Sequence, residues 1–447
     1  MQRSLLRTPG PAEYIRFFIP LALQNIAQSV THPLVAVIAA RGEGGVFAVA
    51  GMAQSTSISF LLQTLNSGLM TTGMIYARNA RSFRVFSRLN ILLVSVLTSV
   101  HLFFTLPFPS HLLFGTIMGL PPEIEGPTRV GFAAGIPLAT LFMFRLRYYV
   151  ILLSNKASGR SSVASLFRVG LTVALAPLFV RAGLVGPVWA YACLTIPVAL
   201  ETYVLSRFAA PFIRSLPEGE TEAPRKRKLF TFAIPLSLSA TLMVAASNIL
   251  SAFISRAPDP QIMLPVFVLL MGVVNPLSSA ASMTQRTVLA FAPGSLRNLS
   301  SFRFSVQVGV AAGLLPLVFM VPALADAYFV RLQHLSPALL PVLRTTAVLL
   351  FFHPLLVSVR SQIEGTAAYL RKSRAILVSY GAYLSAIAAF GFVGLALGLG
   401  GNLIGGFGLL FGNLAAIAAN LLFLKNAVPA FTLDGRSRAE LLRVRAS

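Results

Sequence analysis

Arg145 and Arg360 each lie inside an apolar segment long enough to cross a bilayer. At the helical rise of 1.5 Å per residue, Arg145 falls roughly 24 Å from Arg129 and about 16 Å from Lys156, in the inner half of a membrane. An arginine there costs about 2.5–3.5 kcal/mol on insertion scales. Snorkelling to the headgroups is the plain alternative, and Arg147 is well placed for it. Other polar residues fall in helical stripes. Asn275, Ser279, Ser282 and Arg286 follow i, i+4, i+7, i+11. His353, Arg360 and Glu364 fall at i, i+7, i+11, and Gln24, Gln28 and Thr31 or His32 share a face beside Asn25. Ser59, Gln63 and Asn66 form another stripe, as do Ser237, Thr241, Ser247 and Asn248. Serine and threonine often do no more than glue helices or bond their own backbone. Carboxamides need several partners, so Gln24, Gln28, Gln63, Asn66 and Asn275 point harder to a polar site.

The charge sign of that site follows from the scarcity of acids. The chain has 13, with no aspartate in any apolar span. Glu201 sits deep in one span, and Glu364 lies one turn from Arg360, within pairing reach. An organic-cation site wants carboxylates, whereas Arg145, Arg286 and Arg360 with amides and hydroxyls suit an anion. No G-x-x-x-x-G-K-[ST] occurs, and no H-E-x-x-H or paired-cysteine motif, so the sequence reads as neither an enzyme nor a metal or cofactor protein. His32 and His353 read as cavity or packing residues rather than ligands. The lone Cys193 permits no intrachain disulfide.

The elements that carry these residues occur twice. Shifted by 215 residues, Ile19-Pro20-Leu21 falls on Ile234-Pro235-Leu236, Arg145 on Arg360, Lys156 on Arg371, and Gly183-Leu184 with Gly186 on Gly398-Leu399 with Gly401. Hydrophobic residues make up 56% of the chain, charged residues 11%, and mean hydropathy is +0.78, which marks an integral membrane protein. Twelve spans are predicted, near 14–40, 45–77, 88–107, 129–153, 162–180 and 184–206, then 229–255, 262–285, 302–323, 337–362, 375–397 and 402–424. The fold class is thus all-α and polytopic. Its lobes are 1–206 and 229–447, joined by a cytoplasmic linker at 207–228. Six spans per copy is an even number, so the lobes should be related by a pseudo-two-fold axis along the membrane normal, with a site between them.

Net charge of +23 raises the question of nucleic acid, and its distribution answers it. The N-terminus, the loops after even-numbered spans and the C-terminus, together with the adjoining parts of the spans, hold 28 of the 36 Lys and Arg; the opposite side holds six, and Arg145 and Arg147 complete the count. The positive-inside rule then places both termini in the cytoplasm, with the basic clusters beside lipid headgroups rather than on nucleic acid. Arginine outnumbers lysine 31 to 5, which reads as a GC-rich bacterial genome and hence an inner membrane. Nothing in the sequence demands a second copy, so a monomer is compatible with it.

Arg16-Phe17-Phe18-Ile19-Pro20-Leu21 with its echo at Ile234, Leu120-Pro121-Pro122-Glu123, and the repeated Gly-Leu-x-Gly resemble the multidrug/oligosaccharidyl-lipid/polysaccharide (MOP) flippase superfamily. Within it the chain is most similar to the progressive ankylosis (ANK) family, through Arg16 to Ala27, Ser255-Arg256, Thr284-Gln285-Arg286, and Phe351-Phe352-His353-Pro354 with Val359-Arg360. The resemblance implies a V of two six-helix lobes, like that of the multidrug and toxic compound extrusion (MATE) transporters. It implies alternating access and export of anions such as pyrophosphate, nucleotides or citrate. Arg286 and Arg360 match that family's basic positions; Arg145 and Arg147 do not. The long acidic tail of animal members is missing. The expected activity is export of a small multivalent organic anion by a protein whose other partners are membrane lipids. The alternatives are a flippase for an anionic lipid-linked sugar and a drug/cation antiporter.

Overall fold

The computed structural model describes residues 10–218, 224–291, 299–332 and 336–427, and every regular element among them is a helix. The first repeat comprises α1 (Pro11–Ala40), α2 (Gly45–Tyr76), α3 (Ala80–Phe103), a span in three segments α4a (Pro122–Ala134), α4b (Ile136–Phe144) and α4c (Leu146–Ser154), α5 (Ser158–Arg181) and α6 (Pro187–Arg214). The second comprises α7 (Lys226–Ile254), α8a (Pro260–Ala281), α8b (Thr284–Phe291), α9 (Leu299–Leu317), α10a (Leu340–Leu350), α10b (Phe352–Tyr369), α11 (Ser373–Ala396) and α12 (Gly401–Ala427). Among the described residues ten helical spans are long and apolar enough to cross a membrane. The two other long helices, α1 and α2, carry the glutamines Gln24, Gln28 and Gln63. Helices are the natural answer to these apolar runs, because in lipid each backbone group must find its partner within the segment.

Two boundaries differ from the sequence expectation. The third span begins at Ala80 rather than near 88, because the Asn79 side chain caps it by accepting from the Ser82 backbone N–H at 2.8 Å. Arg81, Arg84 and Arg88 therefore ride on a helix. The sixth span continues to Arg214, so the first residues of the expected linker are helical. Residues 219–223 of that linker lie outside the described residues.

The repeat is visible in local backbone geometry. Lys156 and Arg371 adopt φ of 59° and 60°, Gly183 and Gly398 φ of 71° and 66°, and Gly44 and Asp259 φ of 92° and 50°. Each pair is 215 residues apart. At two of these sites the same paired hydrogen bonds close the helix. Leu184 N–H donates to Phe179 and Gly183 N–H to Val180, while Leu399 N–H donates to Gly394 and Gly398 N–H to Leu395. Lys156 and Arg371 hold the left-handed conformation without glycine, at a cost of roughly 1–2 kcal/mol each.

The chain divides into two compact units, one of residues 23–240 and one of residues 1–22 with 241–447. The boundaries fall inside α1 and α7. In the 23–240 unit, the start of α7 packs Leu229 and Ala233 with Leu69, Phe86 and Val150. A Cβ on Gly68 of α2 would lie 2.4 Å from the Ala233 carbonyl oxygen, so α2 and α7 meet backbone to backbone there. In the other unit, Tyr14 of α1 stacks on Phe304 with ring centroids 5.4 Å apart and meets Phe291 edge-on at 5.1 Å. The main core of that unit joins Leu250, Leu270, Phe329, Leu343, Leu350 and Ile387.

Candidate functional site

Each unit buries its own charged cluster, built on the fourth and fifth spans of its repeat. In the 23–240 unit the centre is Glu201 of α6, which is fully buried. Arg145, at the break between α4b and α4c, donates to Glu201 through Nη1. Tyr149, one turn along α4c, donates to the other carboxylate oxygen at 2.9 Å, and Ser165 of α5 donates to that oxygen as well. Arg168, one turn further along α5, brings Nε to 3.2 Å from Glu201 Oε2. Gln24 of α1 extends the network: its Nε2 donates to the Tyr149 hydroxyl at 3.2 Å, and its Oε1 accepts from Ser162 at 3.2 Å. Phe142 lies 4.0 Å from the Arg145 guanidinium carbon, over the ring face.

The charges here do not cancel. Two guanidiniums face one carboxylate, and Arg145 and Arg168 are 6% and 2% exposed. Among the described residues, Arg168 Nε and Nη2 have no hydrogen-bond partner. A buried ion costs several kcal/mol even after relaxation unless it is paired and hydrogen-bonded. An intramembrane cluster with excess positive charge and unmet donors is suited to an oxyanion.

In the other unit Arg360 and Glu364 pair along α10b, Nε to Oε1 at 3.3 Å. The rings of Tyr380 and Tyr383 on α11 lie 4.9 and 5.1 Å from the guanidinium carbon. His353, one face up the same helix, is buried with Nδ1 3.3 Å from the Asn413 side-chain nitrogen of α12. Here one guanidinium faces one carboxylate.

The residues singled out by sequence divide between the units. Gln24, Asn25, Gln28, Gln63, Asn66 and Arg145 lie in the 23–240 unit, and Asn275, Ser282, Arg286, His353, Arg360 and Glu364 in the other. Gln24 and Arg145 come together at Glu201. Asn25 and Gln28 are half-buried, and Gln63 turns its amide back to the Ser59 carbonyl at 3.2 Å. Asn66 is 1% exposed, and neither side-chain amide atom has a hydrogen-bond partner. His353, Arg360 and Glu364 share α10b. Asn275 is exposed, Arg286 is half-buried on α8b, and Ser282 bonds the Ser279 carbonyl at 2.6 Å where α8a breaks.

Arg168 is the residue that sequence reasoning missed. It falls among the 28 basic residues of the cytoplasmic side in the charge count, yet it is buried in α5. Its signal was available: Ser161, Ser162, Ser165 and Arg168 are one polar face at helical spacing. Tyr149, Tyr380 and Tyr383 gave no such signal, because aromatic residues in membrane spans are ordinary.

Solved structures share this architecture across nearly the whole chain. A MOP-superfamily transporter from Pyrococcus furiosus superposes with a TM-score of 0.73 at 15% identity, over 96% of this chain and 98% of that one. It is described by a reversed polarity of its binding pocket that suggests a different function. A MATE transporter in its straight conformation gives 0.74 at 15% identity over 99% of both chains. A Vibrio cholerae MATE transporter gives 0.73 at 15% identity, over 97% of this chain and 99% of that one. The fold is that of the MOP transporters. MATE structures have twelve helices in two lobes, and the chain shares that arrangement of spans. No protein-family model matches the sequence, and no curated protein does.

Proposed function

We propose that the chain is an alternating-access secondary transporter of progressive ankylosis type that exports multivalent organic anions resembling citrate, nucleotides or pyrophosphate. The observation that carries this reading is the excess of buried guanidinium over carboxylate at Glu201. The shared fold supports transport, and the charge supports the sign of the solute. A MOP transporter with reversed pocket polarity in Pyrococcus furiosus makes a change of solute class within this fold reasonable. Arg145, Arg286 and Arg360 are the basic groups that the sequence offers to the solute, with the carboxamides of Gln24, Asn66 and Asn275 as orienting donors; of the three arginines, Arg145 is the one that stands where buried positive charge is in excess. An inside-negative potential drives anion efflux by about 2.3 kcal/mol per charge per 100 mV, so ATP hydrolysis is not required. The protein is assigned to a bacterial inner membrane with both termini in the cytoplasm.

The test is uptake into proteoliposomes of neutral lipid, with labelled citrate, ATP, pyrophosphate and an organic cation as solutes. The reading expects uptake of one or more anions, faster when a valinomycin-clamped potassium gradient makes the lumen positive. Uptake of the cation alone would establish the drug-antiporter alternative. Scrambling of a lipid-linked sugar diphosphate with no soluble anion moved would establish the flippase.

A further inference from the structure

The two repeats build clusters from matched positions, and the clusters differ in charge. The shift of 215 residues carries Arg145 to Arg360, Tyr149 to Glu364, Ser165 to Tyr380, Arg168 to Tyr383 and Glu201 to Ala416. What the copies share is one arginine on the inner part of the fourth span, facing the span that follows it. What has changed is the set of groups that answers it. In the first copy the carboxylate comes from α6, a helix away, and a second arginine has joined it. In the second copy the carboxylate stands one turn along the arginine's own helix, and a tyrosine takes the place of the second arginine.

We propose that Arg145 and Arg168 form the site for one carboxylate or phosphate group of the exported solute, and that the Arg360–Glu364 cluster is its neutralised counterpart. This rests on the anion-exporter reading above. Three observations carry it. First, the net charge of the Glu201 cluster is one positive, so it has capacity for one further negative group, whereas the Glu364 cluster is balanced. Second, Arg168 is 2% exposed and, among the described residues, its Nη2 has no hydrogen-bond partner while Nε lies 3.2 Å from Glu201 Oε2, so a donor is in place for an incoming oxygen. Third, Glu201 itself demonstrates the chemistry of the cradle: Arg145, Tyr149 and Ser165 all donate to one carboxylate with Arg168 alongside. Arg360 Nη1 also lacks a hydrogen-bond partner among the described residues, but its charge is matched by Glu364 and two tyrosine rings flank it. The first repeat therefore selects the sign of the solute, and the second carries the charge-balanced counterpart.

The experiment uses the full chain, purified in neutral detergent. Thermal unfolding is followed against citrate, pyrophosphate or phosphatidylglycerol, with ionic strength held by chloride, and citrate uptake is measured in neutral liposomes. Wild type should be protected by citrate or pyrophosphate. Arg168→Tyr copies the second repeat and leaves Arg145 paired with Glu201, so it should fold; the half-protection concentration should rise about tenfold or more. Arg168→Lys keeps the charge but loses the fork and should fall between. Glu201→Gln adds one net positive charge and should tighten protection, which a merely structural ion pair would not do. Arg360→Gln should weaken protection at least about threefold less than Arg168→Tyr.

The proposal is overturned if wild type binds anions and Arg168→Tyr binds them equally well, or if Arg360→Gln is the variant that loses binding. It is also overturned if Glu201→Gln weakens protection. Protection by phosphatidylglycerol alone would make the site a lipid headgroup site and overturn it too. Should Arg168→Tyr fail to fold, Arg168→Lys and Glu201→Gln decide. If wild type is protected by no anion and takes none up, the exporter reading falls first, and this site with it.

Discussion

Asn66 carries an energetic cost at the scale of one residue. It is 1% exposed on α2, and neither its amide oxygen nor its nitrogen has a hydrogen-bond partner among the described residues. A buried unsatisfied polar group costs about 1–3 kcal/mol, and an apolar group of the same shape removes that cost. Asn66→Leu should therefore raise thermal stability in detergent by about 1 kcal/mol while lowering anion uptake several-fold. Greater stability with undiminished uptake would remove Asn66 from the site. Asn420 on α12 also lacks partners at both amide atoms. With Asn402 and Asn413 it forms a buried face of α12 at i, i+11, i+18, a stripe that the sequence reading does not include.

At the scale of the element, α9 packs closely against the break in the tenth span that carries the Arg360 cluster. A Cβ on Gly313 of α9 would lie 2.3 Å from the Phe351 carbonyl oxygen, and one on Gly309 would lie 2.6 Å from Leu355 Cα. These two glycines, four apart, bring α9 against the point where α10a gives way to α10b, two residues before His353 and nine before Arg360. Small residues at this spacing are how membrane helices approach closely. Gly313→Ala must push α9 from α10 and should cost about 1–3 kcal/mol, seen as a lower unfolding midpoint. Gly381→Ala on α11 meets no atom within 4 Å and serves as the control. Equal midpoints for the two variants would show that the approach at Phe351 is loose. Ser358 ties the same helices by donating to the Ser305 carbonyl at 2.7 Å.

For the whole molecule, orientation is the property that the charge distribution addresses most directly. Ser215, exposed at the end of α6, should face the cytoplasm if the positive-inside count is right. A cysteine at that position, with Cys193 replaced, should escape impermeant thiol reagents in intact cells and react after lysis. Labelling of intact cells would invert the topology and with it the direction of transport. The charge on the solute gives a second check. Citrate uptake should rise steeply as the liposome lumen is made positive, since each net charge moved adds about 2.3 kcal/mol per 100 mV. Uptake independent of potential would mean that a co-transported cation cancels the charge.

The spans and their doubling were legible in the sequence because each depends on local chemistry alone. Hydrophobic length sets a span, and a fixed offset of 215 residues reveals the copy. Even the left-handed turns at Lys156 and Arg371 fall at matched landmarks. Tertiary structure decided what Arg145 and Arg360 meet. Arg145 and Glu201 are 56 residues apart, and Arg168 stands on a third span, so no periodicity joins them. The Arg360–Glu364 pair lies on one helix turn and was readable for that reason. The packing of the start of α1 with Phe291 and Phe304, and of the start of α7 with Leu69 and Val150, was equally hidden. A helix's sequence shows that it has an apolar face, but the partner of that face is fixed only when the chain folds.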